Sequence, residues 1–268
     1  MPGQPPIITL LTDFGTADSY AAAMKGAILT VHPEARIVDL THEAPAHDIR
    51  AAAFLLKSCY PYFPRGTIHV AVVDPGVGGS RLPIILTTAE QYFIGPDNGI
   101  FTYVIETEEV RDVRSITARH YMRETVSPTF HGRDVFAPAA AYLARGVSKE
   151  AFGEPVAEPV RFELPRAVLS GRTIRASVLH VDRFGNVVLC VTRRQLEQAQ
   201  ERTGTRDLRC VAGGAEISGL RMHYEGAPPG RPFFLFGSAG YLEIAADRAS
   251  AAALTGLSPG DEVQIELA

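Results

Sequence analysis

The sequence contains little cysteine, and its three cysteines follow no familiar pattern. The count is odd, and the spacing of Cys59, Cys190 and Cys210 fits neither a zinc motif nor a disulfide framework. Reduced thiols are typical of cytoplasmic proteins, so we expect a cytoplasmic location. Lysine is also scarce, and most of the basic residues are arginines. Arginine presents a planar fork of donors, so some of these side chains are candidates for binding anions.

Long apolar runs are absent as well. No stretch approaches the ~20 apolar residues that span a bilayer. The first apolar run, at residues 7–11, follows no basic region and is too short for a signal peptide. The formal net charge is −4, which gives no strong attraction to nucleic acid or an anionic membrane. We therefore expect a small-molecule ligand, with no nucleic-acid or membrane partner.

The first half of the chain alternates strand and helix signals. Strands are predicted at residues 7–11, 37–40, 67–73, 83–87 and 92–94. Asp18 and Asp48 each precede a helical pattern and are candidate N-caps. This alternation predicts an α/β domain, residues 1–155, with a largely parallel sheet covered by helices.

The pattern changes near residue 155. Residues 156–165 carry prolines without periodicity and are predicted to be a linker. Short strands between glycine-rich turns follow at residues 173–181, 187–191, 233–236, 241–245 and 262–266. The sequence therefore predicts a smaller C-terminal β-barrel domain, residues 166–268.

Two carboxylates follow predicted strands of the first domain. Asp13 comes after the first strand and Asp74 after the third, so both are expected at one edge of the sheet, where ligands bind in α/β proteins. The letters Thr12-Asp13-Phe14-Gly15 match a kinase motif, but no glycine-rich loop or catalytic loop precedes them. Asp13 can hold a vicinal diol such as ribose, or it can brace its own turn.

Histidines allow two interpretations. His131 stands in a loop before an apolar helix that Asp134 is expected to cap, and a lone histidine is more often structural than catalytic. His42, His47 and Asp48 suggest a metal site, but the two histidines are five residues apart rather than the helical four. The metal interpretation is therefore the weaker one.

Two turns of the second domain carry polar groups. Asp182 and Asn186 flank a glycine turn, where they can form a simple hairpin or can bind an ammonium group and an adenine edge. Ser238 lies in a second glycine-rich turn, which can hold a carboxylate or can merely reverse the chain.

Taken together, these segments resemble the S-adenosyl-L-methionine hydroxide adenosyltransferase family, whose relatives include fluorinating and chlorinating enzymes. The matching segments are LLTDFGTADSYAAAMKG, VVDPGVGGSR, FIGPDNGIF, TFHGRDVFAPAAA, VDRFGNVVLC and FGSAGYLEIA. They occur in the family's order and cover nearly the whole chain. The resemblance implies an α/β domain followed by a β-barrel. It also implies a homotrimer, with each site between the N-terminal domain of one subunit and the C-terminal domain of its neighbour.

The resemblance also implies roles for single residues. The catalytic set of the water-using branch corresponds to Asp74, Arg81 and His131. The substrate-binding set corresponds to Asp13 for the ribose hydroxyls, Asp182 for the methionine ammonium, Asn186 for adenine, Tyr224 for a ring over adenine and Ser238 for the methionine carboxylate.

Within this resemblance, Asp74 occupies a position at which halogenating relatives carry an aromatic residue, and no long extra loop is evident. Both features favour water over halide. Ala239 departs from the bulkier residue of many relatives, which leaves the packing around the methionine tail open. The implied reaction is attack of water or hydroxide at the ribose C5′ of S-adenosyl-L-methionine, giving adenosine and L-methionine. The sulfonium leaves as a neutral thioether, so we expect neither a cofactor nor a metal ion.

Three alternatives remain open at the level of sequence. The first is a metal-dependent nucleotide or phosphoester hydrolase built on Asp13, His42, Asp74 and His131. The second is a non-catalytic sensor of S-adenosyl-L-methionine. The third is a halide-transferring enzyme. Full activity after chelation would exclude the first alternative. Binding without turnover would support the second, and formation of a 5′-halo nucleoside would support the third.

Overall fold

The computed structural model describes residues 6–268, which divide into two compact units. The first unit extends to Glu163 and the second runs from Leu164 to Ala268, so the division falls within the stretch predicted to be a linker. Each unit has its own apolar core. In the part of the chain that the structure describes, no helix has both the length and the apolar character needed to cross a membrane.

The first unit alternates strands and helices. Its elements are β1 (Ile7–Thr12), α1 (Tyr20–Val31), β2 (Arg36–Thr41), α2 (Ile49–Cys59), β3 (Ile68–Val72), β4 (Pro83–Thr88), β5 (Tyr92–Pro96), α3 (Thr102–Thr107), β6 (Val110–Ser115) and α4 (Ala137–Ala144). A π-helical turn over Gly132–Phe136 leads into α4.

The strands form one sheet in the order β2-β1-β3-β5-β4-β6. The first four are mutually parallel, and β4 runs antiparallel to β5 and β6. The predicted largely parallel sheet is thus confirmed. The strand order reverses direction at β1, and Thr12 of β1 pairs with Val72 of β3. Asp13 and Asp74, which follow these residues, therefore leave the sheet at the same edge.

Helices cover both faces of this sheet. The side chains of each strand alternate between the two faces, so both faces have apolar residues to bury. Ile8 and Leu10 of β1 pack with residues of α1 and α4. Leu11 packs on the other side with residues of α2 and α3. The edge that carries the two aspartates is thereby built on a rigid, buried strand pair.

The two candidate N-caps behave differently. Asp48 caps α2, because its carboxylate accepts a hydrogen bond of 2.9 Å from the backbone N–H of Ala51. The prediction that Asp18 caps α1 is wrong. That helix begins at Tyr20 with Ser19 at the N-cap position, one residue beyond Asp18, and no side chain caps it.

The second unit is rich in strands. Its elements are β7 (Val168–Ser170), β8 (Thr173–Val181), β9 (Val187–Thr192), α5 (Arg193–Thr203), β10 (Leu208–Ala212), β11 (Ala215–Ser218), β12 (Leu220–Arg221), β13 (Pro232–Phe236), β14 (Tyr241–Ala246), α6 (Ala251–Thr255) and β15 (Glu262–Leu267).

The strands follow the order β11-β10-β15-β8-β9-β14-β13-β12, with β7 added beside β8. The sheet curls until β11 contacts β13, which makes it a nearly closed barrel around one apolar core. The predicted C-terminal β-barrel is therefore confirmed. Strand alternation directs Leu242 and Ile244 of β14 into this core and leaves Glu243 on the other face.

Candidate active site

Asp74 and Arg81 form a buried ion pair at the carboxyl edge of the first sheet. Arg81 Nε donates to Asp74 Oδ1 over 3.0 Å, and Arg81 Nη2 donates to Asp74 Oδ2. Their side chains are only 5% and 10% exposed. Two parallel hydrogen bonds lock the plane of the guanidinium group. Asn98 supports this arrangement, because its side-chain amide donates to the carbonyl of Val73 over 2.9 Å and holds the strand end in place.

His131 continues this chain of hydrogen bonds. Arg81 Nη2 lies 2.8 Å from His131 Nδ1. A guanidinium group can only donate, so Nδ1 is the acceptor, and the proton of the neutral imidazole is on Nε2. Burial, followed by the charge of Arg81, holds the pKa of His131 below its ordinary value, although Asp74 and Asp134 act in the opposite direction. The neutral imidazole therefore presents an N–H donor on the side away from Arg81.

Backbone packing brings His131 to Arg81, fifty residues apart in sequence. Gly78, with φ of +77°, lies against the carbonyl oxygen of Pro128, and a Cβ at this position would collide with that oxygen. Only glycine both adopts this positive φ readily and lacks the Cβ that would collide. The loop after β3 and the segment before His131 are therefore in direct contact.

Asp134 anchors this segment instead of capping a helix, so the sequence expectation is wrong. Its fully buried carboxylate accepts hydrogen bonds from the Arg133 side chain and from the backbone N–H of Ser127. These partners, with the charge of Arg123, lower the pKa of Asp134 against the opposing effect of burial, which is the largest single influence. The carboxylate thus ties residues 123–127 to the turn that carries His131.

Asp13 lies at the end of β1 with a side chain that is 9% exposed. Its Oδ2 accepts a hydrogen bond of 2.9 Å from the backbone N–H of His47, a residue with φ of +64°. Its Oδ1 receives no hydrogen bond from the residues that the structure describes, so it is available to a ligand hydroxyl.

A cavity of about 320 Å³ collects most of these groups. Asp13, Asp74 and His131 line it. Its apolar wall includes three aromatic rings, Phe14, Tyr20 and Phe130, whose centroids are 5.2–5.7 Å apart. Arg81 does not line the cavity, but it is hydrogen-bonded to Asp74 and His131, which do. The cavity thus combines a carboxylate for hydroxyl groups, an N–H donor and an apolar wall.

In the second unit, Asp182 and Asn186 form one hydrogen-bonded turn. Asp182 Oδ1 accepts from the backbone N–H groups of Phe184 and Asn186, and its Oδ2 accepts from the Asn186 side-chain amide over 2.9 Å. Gly185, with φ of +84°, makes the turn possible. Much of the hydrogen-bonding capacity of Asp182 is thus used within its own turn.

Asn186 and Tyr224 line a second cavity, of about 530 Å³. Burial raises the pKa of Tyr224 and the nearby Glu243 adds to the increase, while a hydrogen bond from Asn186 opposes it. Asp182 and Ser238 do not line this cavity. It offers an aromatic ring and an amide edge, which are suitable partners for a flat heteroaromatic ligand.

Ser238 lies in the turn between β13 and β14, and sequence reasoning missed the charged group beneath it. A Cβ at Gly237 would collide with Oε1 of Glu243, so the Glu243 carboxylate lies directly under this turn. Burial and then the charge of Asp182 raise the pKa of Glu243 to about 7. The available signal was a single acidic residue in the otherwise uncharged strand Tyr241–Ala246.

Comparison with known sequences assigns both units of the chain to one family. Residues 8–153 match the profile described as the SAM hydroxide adenosyltransferase N-terminal domain, and residues 176–264 match that of the C-terminal domain. The two matches cover most of the chain in the expected order. The chain belongs to the SAM hydroxide adenosyltransferase family.

Individual relatives agree with the membership in this family. The chain is 37% identical to a protein from Salinispora arenicola named (R)-S-adenosyl-L-methionine hydrolase, over 97% of each chain. It is 28% identical to a protein from Nocardia brasiliensis named fluorinase, over 99% of this chain and 98% of the relative. A crystal structure of an uncharacterized conserved protein from Thermotoga maritima matches with a TM-score of 0.89 and 32% identity, covering 97% of this chain and 99% of that one.

Of the two histidines considered for a metal site, His47 lines the cavity and His42 does not. His42 Nδ1 lies 2.8 Å from Thr12 Oγ1, and its Nε2 lies 3.1 Å from Asp39 Oδ1. Across residues 6–268, no three His, Cys, Asp or Glu side chains come together in a group that could hold a metal ion. His42 instead supports the turn after β1, because Thr12 Oγ1 also accepts from the backbone N–H of Phe14.

Proposed function

We propose that this protein is an enzyme that hydrolyses S-adenosyl-L-methionine. Water or hydroxide attacks the ribose C5′, the C5′–S bond breaks with its electron pair going to sulfur, and adenosine, L-methionine and one proton are released. The observation that carries the proposal is the Asp74–Arg81–His131 hydrogen-bonded chain beside a cavity that Asp13 also lines.

The roles follow from donor and acceptor positions. A sulfonium leaves as a neutral thioether and needs no general acid, so the difficult task is to prepare the nucleophile. His131 Nε2–H points away from Arg81 and donates to a water oxygen, and this stabilises its hydroxide character in the transition state. Asp74 accepts from Arg81 with both of its oxygens, which favours an orienting role over that of a proton acceptor.

Substrate binding is divided between two sets of residues. In the first unit, Asp13 holds the ribose hydroxyls through its available oxygen. In the second unit, Tyr224 and Asn186 bind adenine, Asp182 binds the methionine ammonium and Ser238 binds the carboxylate. The protein acts as a homotrimer, in which the first set of one subunit and the second set of its neighbour complete one site. No cofactor takes part.

Two other features support this proposal. All three cysteines are free thiols, which agrees with a cytoplasmic enzyme. A metal-dependent hydrolase would use His42, but its ring is directed to Thr12 and Asp39. Full activity after thorough chelation would exclude that alternative.

The decisive test uses metal-stripped protein, S-adenosyl-L-methionine and water enriched in oxygen-18. Adenosine that carries the label at its 5′-oxygen, together with unlabelled methionine, is the expected result of attack at C5′. Binding without adenosine would favour a sensor, and a 5′-halo nucleoside formed with added halide would favour halide transfer.

The role of Arg81 is tested by Arg81→Ala. We expect turnover to fall by about 10²–10³-fold with substrate affinity changed only a few-fold, because the guanidinium acts on the nucleophile through His131. The exposed Arg172→Ala serves as the matched control. A loss of affinity with unchanged turnover would contradict the assignment.

A further inference from the structure

Glu243 is placed on the face of the second sheet that carries the candidate ligand-binding groups. It pairs with Leu235 of β13 and Val188 of β9, and its side chain points away from the barrel core. Asn186 lies on the same face, because the next residue, Val187, packs into the core opposite Ile244. Glu243 therefore shares a surface with the adenine-binding and ammonium-binding candidates.

The Glu243 residue is largely buried, but its carboxylate oxygens are not among the fully buried unpartnered atoms of the described residues and so keep some access to solvent. The residue is 9% exposed, and no residue among those described donates a hydrogen bond to it or forms an ion pair with it. The titratable groups near it are Asp182 and Tyr224, and neither supplies positive charge. A largely buried carboxylate without a partner is costly unless a proton or a cation neutralises it.

Asp182 alone is poorly equipped to bind an ammonium group. A carboxylate offers about four lone-pair sites, and three N–H groups already occupy sites on Asp182. An ammonium group brings three donors. Glu243, which lies under the Gly237–Ser238 turn and close enough to Asp182 for their charges to interact, has all of its sites available.

We propose that Glu243 is a second carboxylate for the α-ammonium group of the amino-acid part of the substrate, which it shares with Asp182. This inference rests on the proposed function. It makes Glu243 a specificity residue that distinguishes nucleosides with an amino-acid tail from those without one.

A change of protonation accompanies this role. Burial and the charge of Asp182 raise the pKa of Glu243 to about 7 in the free protein, so a fraction of the molecules hold a proton there at neutral pH. An ammonium group beside the carboxylate favours the charged form and lowers this pKa. Binding therefore releases part of a proton, and the release disappears for a ligand without the ammonium group.

The experiment is calorimetry at pH 7 in two buffers of different ionisation enthalpy. The probes are S-adenosylhomocysteine, which has the amino-acid tail but no sulfonium leaving group, and 5′-methylthioadenosine, which lacks the tail. We expect release of a fraction of a proton with the first probe and none with the second. Repeating the measurement from pH 6 to 8 on the unaltered protein should give a release that falls as pH rises, which needs no variant.

Glu243→Gln keeps the shape and removes the charge. We expect it to abolish proton release and to lower the affinity for S-adenosylhomocysteine about tenfold or more. The affinity for 5′-methylthioadenosine should change by no more than about twofold. The exposed Glu262→Gln should behave like the unaltered protein.

Each result that contradicts these expectations has a distinct meaning. Binding of S-adenosylhomocysteine with no release, or with proton uptake, overturns the role of Glu243 and leaves the proposed function standing. Equal weakening of both probes in Glu243→Gln also overturns it, because it would mark a merely structural residue. Failure of both probes to bind the unaltered protein overturns the proposed function together with this inference.

Discussion

The protonation state of His131 is determined by its neighbour. Arg81 donates to Nδ1, so the neutral ring carries its proton on Nε2. Protonation of the ring would place a second N–H opposite the guanidinium, break this hydrogen bond and bring two positive charges together. The structure thus allows only the neutral form of His131 to keep Arg81 in position.

This coupling predicts that kcat decreases on the acid side of its pH profile, as an acid limb. Activity should fall as pH decreases through the pKa of His131, and burial and Arg81 place that pKa below the ordinary value of 6.5. Bound sulfonium lowers it further, because like charges disfavour protonation. The measurement is kcat against pH, since kcat reports groups in the enzyme–substrate complex.

The variant His131→Asn keeps an acceptor for Arg81 but cannot titrate. It should lower kcat at every pH and remove the acid limb, while the exposed His223→Asn should retain the limb. An acid limb centred above pH 6.5, or one that persists in His131→Asn, would contradict this account.

At the level of elements, five of the six strands of the first unit were predicted within one or two residues, and β6 was missed. The apolar runs of β1 and β3 are bounded by glycine, proline or aspartate, and Asp48 marks the start of α2. In the second unit α5 was missed, although Thr192 and Gln195 form a capping box and Gly204 ends the helix with φ of +71°. Only Leu196 and Ala199 of this helix are buried, so few apolar residues mark its period and the end signals identify it best.

The strands β10 and β11 were missed for a different reason. They are short, and only alternate residues are buried, such as Leu208 and Cys210. The turn between them, Gly213-Gly214, has positive φ at both residues and is a hairpin signal. Their pairing depends on β15, which lies far along the chain and cannot be inferred locally.

The turn between β8 and β9 yields a prediction about Gly185. Its φ is +84°, and an added Cβ would collide with the side chain of Ser250 at the start of α6. Gly171 has a similar φ of +60° but has open space around it. Gly171→Ala should cost about 1 kcal/mol of unfolding free energy, and Gly185→Ala about 3 kcal/mol or more, because steric overlap adds to backbone strain.

Chemical denaturation of both variants measures the difference. Because the two substitutions share the backbone penalty, the excess in Gly185→Ala isolates the contact with Ser250. Equal losses in the two variants would mean that α6 moves aside at no cost.

For the molecule as a whole, topology explains which parts of the candidate site could be predicted. Asp13 and Asp74 were placed together from sequence because each follows a strand, and adjacent parallel strands end at one edge. The Arg81–His131 contact spans fifty residues and depends on the fit of Gly78 against Pro128, which no local pattern reveals. Roles of single residues came from the family resemblance, and they remain predictions.

The response of the folded state to acid gives the last prediction. His69 is fully buried in β3, stacks on Phe93 and shares a hydrogen bond of 2.7 Å with Thr9 through Nδ1. Burial lowers its pKa from 6.5 to about 4. Between these values the unfolded chain binds the proton and the folded chain does not, so the stability present above pH 6.5 is lost as pH falls toward 4. The loss from this group amounts to about 3 kcal/mol.

Other groups also titrate in this range, so the contribution of His69 is obtained by difference. Denaturant unfolding at pH 7, 5.5 and 4 should show a steep loss of stability in the unaltered protein and in the exposed His223→Gln. His69→Gln is expected to be less stable at pH 7, because it loses aromatic packing, but to lose about 3 kcal/mol less between pH 7 and 4. Parallel losses in all three proteins would mean that His69 is not the group through which acid destabilises the first unit.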